Sequence, residues 1–152
     1  MPVRCHIAIA MVAGLLLAGA ASAGDGLVVT DAWARASPPG VDKSAVYFRV
    51  QLAEDGASDR LIGVVAPGSG HASLHETVNE NGQSRMVSRD AVMVSGGGAV
   101  AFEPGGYHVM VTGLAQPLEA GEALRLILRF EHRGERVLDV PVRPLGASGP
   151  AR

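Results

Sequence analysis

Four residues could together do chemistry that none would do alone: His75, Met86, His108 and Met110. In "GGYHVMVTGL" (105–114), Tyr107, Val109 and Val111 alternate onto one side, an apolar set suited to a core. His108, Met110 and Thr112 therefore share the other side. "SLHETV" repeats the inversion, with Leu74 and Val78 as core residues and His75 opposite them beside Ser73 and Thr77. In "SRMVS", Met86 shares its face with Ser84 and Ser88. These last two segments flank "NENG". A four-residue loop over 79–82 would pair His75 directly with Met86, and a turn at Asn81-Gly82 alone would make them diagonal neighbours. Both arrangements put the two on one face, whereas a three-residue loop would separate them.

Two imidazoles and two thioethers suit a soft ion. Thioether sulfur selects Cu(I), while zinc prefers thiolate, imidazole or carboxylate and hard cations want oxygen. All four groups are neutral, so such a site leaves Cu(I) its positive charge and can surrender it. A thioether also escapes the disulfide chemistry that claims a thiol. Plainer roles compete at other positions. Methionine is an ordinary core filler, and Met93 in "AVMVS" is read that way. Trp33 is read as a core anchor, and His132, in a turn, as solvated. His71 lies four residues before His75 on the same face and is a fifth candidate, although the preceding "GSG" suggests a loop.

The elements that must carry these residues are short strands. From Leu27 onward the pattern has period two and is broken by Gly, Pro, Asn or Asp. In "LRLILRF", Leu124, Leu126, Leu128 and Phe130 face one way and Arg125 and Arg129 the other. Similar strands are readable around Trp33 and at 46–50, 62–66 and 137–142, and no window holds a convincing helix. "EPGG" places Pro104 and Gly105 for a type II turn, and "NENG" and "HRGE" suit hairpins. The fold class expected is all-β, a Greek-key sandwich or barrel.

The ends of the chain bear on where such a protein works. Residues 1–23, "MPVRCHIAIAMVAGLLLAGAASA", combine Arg4, an apolar run from Ile7 to Ala18 and the small-residue box Ala21-Ser22-Ala23, the pattern of a secretory signal peptide. Cys5, the only cysteine, precedes the apolar run and is not placed like a lipid-accepting cysteine. Cleavage after Ala23 would leave a chain free of cysteine, without disulfides or thiol catalysis, suited to an oxidising compartment. One domain is expected over 24–145, followed by a flexible polar tail at 146–152. With Arg4 removed, 12 Lys and Arg face 15 Asp and Glu, a net of −3 with no basic run. Nucleic acid and anionic membrane surfaces are therefore not expected partners, no later segment is long enough to span a membrane, and a monomer is expected.

The spacing His-x10-Met-x21-His-x-Met, from His75 to Met110, resembles the signature of periplasmic copper chaperones of the PCuAC type. The flanks are similar too: "DAWARASPPG" (31–40), "LHE" (74–76), "EPGGYHVM" (103–110) and "GLAQPL" (113–118). The resemblance runs from about Leu27 to Val142. It implies a cupredoxin-like sandwich that carries Cu(I), with His75, Met86, His108 and Met110 as ligands. The implied recipients are the copper centres of respiratory oxidase or thiol-bearing assembly factors. Two features depart from the family pattern: Thr77 stands where members often have a methionine, and the end "RPLGASGPAR" has neither the His nor the Met of some members' second, Cu(II) site. A blue-copper carrier is excluded, because its site needs a cysteine thiolate. A zinc hydrolase would use His71, His75 and His108 as ligands and Glu76 as base, yet Glu76 alternates onto the Leu74 face. The third alternative is a non-metal β-sandwich binding module whose methionines are packing.

Overall fold

The computed structural model describes residues 24–151, so the leader assigned to 1–23 lies outside them. Ten strands follow in chain order. They are β1 (Leu27–Arg35), β2 (Lys43–Leu52), β3 (Asp59–Val65), β4 (His71–Glu80) and β5 (Gln83–Arg89), then β6 (Val92–Val94), β7 (Ala99–Phe102), β8 (Tyr107–Thr112), β9 (Ala123–Phe130) and β10 (Gly134–Arg143). They lie in the order β5-β4-β8-β7-β2-β1-β10-β9-β3-β6, with β8 also pairing with β2. Two parallel pairs, Ala34–Val142 and Arg35–Arg143, join the β1 side to the β10 side. The chain passes repeatedly between these two wings: β3 and β6 lie with β9 and β10, while β4, β5, β7 and β8 lie with β1 and β2.

Both wings turn one face inward. Leu124, Leu126, Leu128 and Phe130 of β9 are buried, with Arg125 and Arg129 outside, as the alternation requires. They meet Val46, Phe48, Val50 and Leu52 of β2, Leu74 of β4, and Val109 and Val111 of β8 in a single cluster. Each such side chain contributes roughly 1.5–3 kcal/mol on burial. The fold is the expected all-β, cupredoxin-like sandwich, and the strands at 46–50, 62–66 and 137–142 fall within β2, within β3 and its following residue, and within β10.

One packing expectation needs revision. Met93 is not core: it is 55 % exposed, because Val92 and Val94 on either side take the inward positions of β6. Burying two valines outweighs burying one methionine. Trp33 is buried, as expected of a core anchor, in an aromatic group beside the main cluster. It pairs with Tyr47 next to the inward pair Ala34–Val46, so alternation turns both rings to the outer face. The ring centroids are 4.6 Å apart, and the Arg35 guanidinium lies 5.9 Å and 5.7 Å from the two rings. Arg35 in turn donates to the carbonyl of Ala147 at 3.4 Å.

The turns set the registers. At Pro104-Gly105 the Gly105 φ is 87° and the Gly106 N–H donates to Glu103 O at 3.0 Å, as in a type II turn. Between β4 and β5 both Asn81 (φ 53°) and Gly82 (φ 78°) are left-handed, the two-residue turn whose twist matches the flanking strands. Leu126→Ala is expected to cost about 2–5 kcal/mol of stability, and Met93→Leu to stay within about 0.5 kcal/mol. Urea denaturation of the two variants checks this, and a large loss at Met93 would contradict its outward placement.

Candidate metal centre

The β4–β8 ladder places the first two candidates side by side. Leu74 pairs with Val109 inward, and the next pair along, His75 with His108, faces outward. The imidazole centroids are 5.8 Å apart and the rings are inclined by 24°. Met110 pairs with Ser73 and is therefore a diagonal neighbour of His75. On the other flank of β4 the Asn81-Gly82 turn pairs Thr77 with Met86 and His75 with Ser88, so Met86 is also diagonal to His75. The two-residue turn is thus the one adopted. All four candidates stand on one face of three adjacent strands.

The sulfur of Met86 crosses over β4. It lies 3.2 Å from Nε2 of His108, so the two local His/Met pairs interlock. Nδ1 of His108 lies 3.1 Å from the carbonyl oxygen of Gly106. A carbonyl only accepts, so Nδ1 carries the proton, and the neutral ring keeps its lone pair on Nε2, toward the sulfur. The Gly106 carbonyl is itself held, accepting from the Thr77 N–H at 3.0 Å. This is the backbone support that usually orients a metal-binding histidine.

His75 is held differently. Its Nε2 lies 2.9 Å from the hydroxyl of Ser73, while Nδ1 is buried with no hydrogen-bond partner among the described residues. A buried polar atom left unpaired costs roughly 1–3 kcal/mol, and such atoms are tolerated where another role needs them. Burial, then the neighbouring His108, then His71 lower the His75 pKa below its ordinary 6.5. The imidazole is consequently neutral at pH 7, the form that can donate a lone pair.

The face is closed at one side and open at the other. His108 is only 5 % exposed, while Met86 is 58 % exposed. Met110 borders Ala45 of β2 and lines an open hollow of about 210 Å³ with Ala36, Pro38 and Leu145 and with the cationic Arg35 and Lys43. Two imidazoles and two thioethers thus share one face, with the Met86 sulfur and His108 Nε2 in contact. That donor set fits a soft monovalent ion better than a hard or divalent one.

Of the groups of the zinc alternative only His75 and His108 are neighbours; His71 opens β4 four residues away and the base Glu76 points elsewhere. Glu76 is ion-paired to Arg89 at 2.6 Å and stands on the face opposite His75. Another cluster of potential ligands, Asp59, Glu131 and His132, forms at the β9–β10 turn. Its carboxylates are engaged: Asp59 accepts from the backbone N–H groups of Arg60, His132 and Arg133, and Glu131 takes a two-pronged bond from Arg60. The His132 side chain is 66 % exposed. Sequence reasoning missed Ser73 and the Gly106 carbonyl as partners of the two imidazoles. The "EPGG" turn two residues before His108 was the available signal for the second.

The "Putative lipoprotein LpqE-like" family matches residues 27–142. "Putative lipoprotein Lxx21020" of Leifsonia xyli subsp. xyli is 32% identical over 120 residues, covering 78% of this chain and 70% of that protein. Among solved structures, the copper-bound PCuAC domain from PmoF2 is 26% identical with a TM-score of 0.66, covering 78% of this chain and 93% of the domain. The solution structure of CuI-DR1885 from Deinococcus radiodurans is 26% identical with a TM-score of 0.50, covering 76% of this chain and 77% of that one. By the extent of the family match and the shared fold, this chain belongs to the LpqE-like family, and its domain is of the PCuAC type.

Proposed function

We propose that the domain is a copper chaperone that binds one Cu(I) through His75, Met86, His108 and Met110 and passes it to an acceptor protein. The observation that carries this reading is the approach of the Met86 sulfur to Nε2 of His108, 3.2 Å apart, with that nitrogen's lone pair preset by the Gly106 carbonyl. Met93 is an instructive contrast: it is as exposed as Met86, but its strand neighbours Arg60 and Val92 bring no imidazole. The copper-bound PmoF2 domain and CuI-DR1885 support copper as the cargo and Cu(I) as its state. Recipients suited to this chemistry are oxidase copper centres or thiol-bearing assembly factors.

Transfer needs only ligand exchange. An incoming thiolate can form its Cu–S bond to the ion as the bonds from the neutral donors break one by one. Copper remains +1 throughout. No residue is asked to act as acid or base, and the domain is read as a carrier rather than an enzyme.

We also propose export. The leader-like 1–23 segment and the family's lipoprotein names point the same way, although the cysteine here is Cys5, ahead of the apolar run. Protein recovered from the periplasm should begin at Gly24 by intact mass, with 24–145 as the copper-binding domain. A lipid-modified or uncleaved N-terminus would replace release by anchoring.

Met86→Leu and Met110→Leu conserve volume but remove a ligand, so each should weaken Cu(I) binding by about tenfold or more, that is by at least about 1.4 kcal/mol. Anaerobic competition with a chromogenic Cu(I) chelator measures this, with Met93→Leu as the unchanged control. Parental affinity in both variants would remove the thioethers from the site.

Acid should compete for the imidazoles. His75 has its pKa lowered, so it is neutral above the ordinary histidine value and protonates only below it. Affinity is expected to hold from about pH 8 to 7 and to fall between about pH 6.5 and 5. NMR titration of the apo protein should place the His75 midpoint below 6.5. A midpoint above it, or an affinity flat to about pH 5, would count against histidine ligation.

A further inference from the structure

The four-residue set leaves one nitrogen donor on the same face unused. His71 opens β4 and pairs with Thr112, two positions before Ser73–Met110 and four before His75–His108. Outward residues recur every second position, so His71 and His75 are about 13–14 Å apart along the strand. They are too far apart to hold one ion together. Met110 lies between them: as the partner of Ser73 it is a diagonal neighbour of both, about 7–8 Å from each and within reach of a long side chain.

Three further features favour a ligand shared between two positions. The first is positional. His71 is exposed while His108 is 5 % exposed, so the His71 end of the face is open to a partner, as the Met86 side is. The second is freedom: on its β2 side Met110 pairs with Ala45, whose methyl is small, and borders an open hollow of about 210 Å³ rimmed by Arg35 and Lys43, so its three-torsion thioether has room to swing. The third is anchorage. Gly70 and Gly113 approach so closely that a Cβ on Gly113 would lie 2.9 Å from the Gly70 Cα, and the Gly70 N–H donates to the carbonyls of Thr112 and Gly113. This clamp holds His71 in register beside the end of β8.

We propose that His71 and Met110 form an outer Cu(I) station, one nitrogen and one thioether, through which copper passes into and out of the inner set. The inference rests on the reading of His75, Met86, His108 and Met110 as copper ligands. The step is a ligand exchange without redox change. The lone pair of His71 forms a bond to Cu(I), the bonds from His75, His108 and Met86 break, the Met110 sulfur stays attached, and the ion remains +1. An incoming thiolate then meets a two-coordinate ion on the exposed end of the face rather than a four-coordinate ion beside buried His108.

A station on the path changes rates without changing the end states. His71→Gln, at an exposed position, should leave the equilibrium Cu(I) affinity unaltered while slowing loading and release by the same factor, roughly tenfold. Release is followed by stopped flow from the Cu(I)-loaded protein to a synthetic Cys-x-x-Cys peptide, and loading from a Cu(I)–chelator complex. His71→Met returns a soft ligand and should restore both rates. Unchanged rates in His71→Gln would overturn the proposal. So would a loss of affinity in that variant, which would make His71 a member of the inner set, or a His71→Met variant as slow as His71→Gln. The underlying reading has its own arm: His75→Gln with parental affinity would sink the inner site and the outer station together, whereas weakened His75→Gln with unaffected His71→Gln kinetics would sink the station alone.

Discussion

The register of β4 against β8 governs the candidate site. Leu74 faces Val109 and Ala72 faces Val111 on the inner side, and the pairs between and beyond them, Ser73–Met110 and His75–His108, face out. A slip of one residue would send every side chain to the opposite face, exposing Leu74, Val109 and Val111 and pressing two imidazoles into the core. Burial of the three large apolar side chains is worth several kcal/mol in total, so the register is secured by packing. The four candidate donors are set on one face as its consequence, on rigid strands whose packing needs no ion.

The third strand joins through a different constraint. β5 lies at the edge of the sheet, and its residues are largely exposed, so burial does little to choose its register. The Asn81-Gly82 turn makes that choice, because two consecutive left-handed residues close a hairpin with no room for slippage. Ion pairs from Arg85 to Glu80 and from Arg89 to Glu76 run across the same hairpin, although exposed pairs add at most about 1 kcal/mol each. Met86 thus owes its place over β4 to two backbone dihedral pairs, while His75 and His108 owe theirs to the core.

Cationic groups border the donor face at its Met110 end, where Arg35 and Lys43 line the hollow. The ion pairs Arg125–Asp139 and Arg129–Glu135 lie across β9 and β10, on the other wing, and Asp59 with Arg133 secures the turn between those strands. His75 is kept neutral by burial and by its histidine neighbours, the state in which an imidazole can donate a lone pair.

Much of this was legible in the chain itself. Period-two alternation is a local property, so the faces of Leu124 to Phe130, of Leu74 against His75, and of Val109 against His108 could be read without knowing any partner strand. The glycine-containing turns were equally local. In a continuous apolar run such as Val92-Met93-Val94 alternation does not say which set of positions faces inward, so the outward placement of Met93 is decided only by the packing of its two valine neighbours. Strand partners are decided by long-range pairing. It took the sheet order β5-β4-β8 to set His75 opposite His108, to lay the Met86 sulfur against Nε2 of His108 across an intervening strand, and to leave Met110 between His71 and His75. The chain alone specified which residues share a face; the tertiary structure decided which of them touch, because contacts between residues more than twenty positions apart depend on packing that no local pattern encodes.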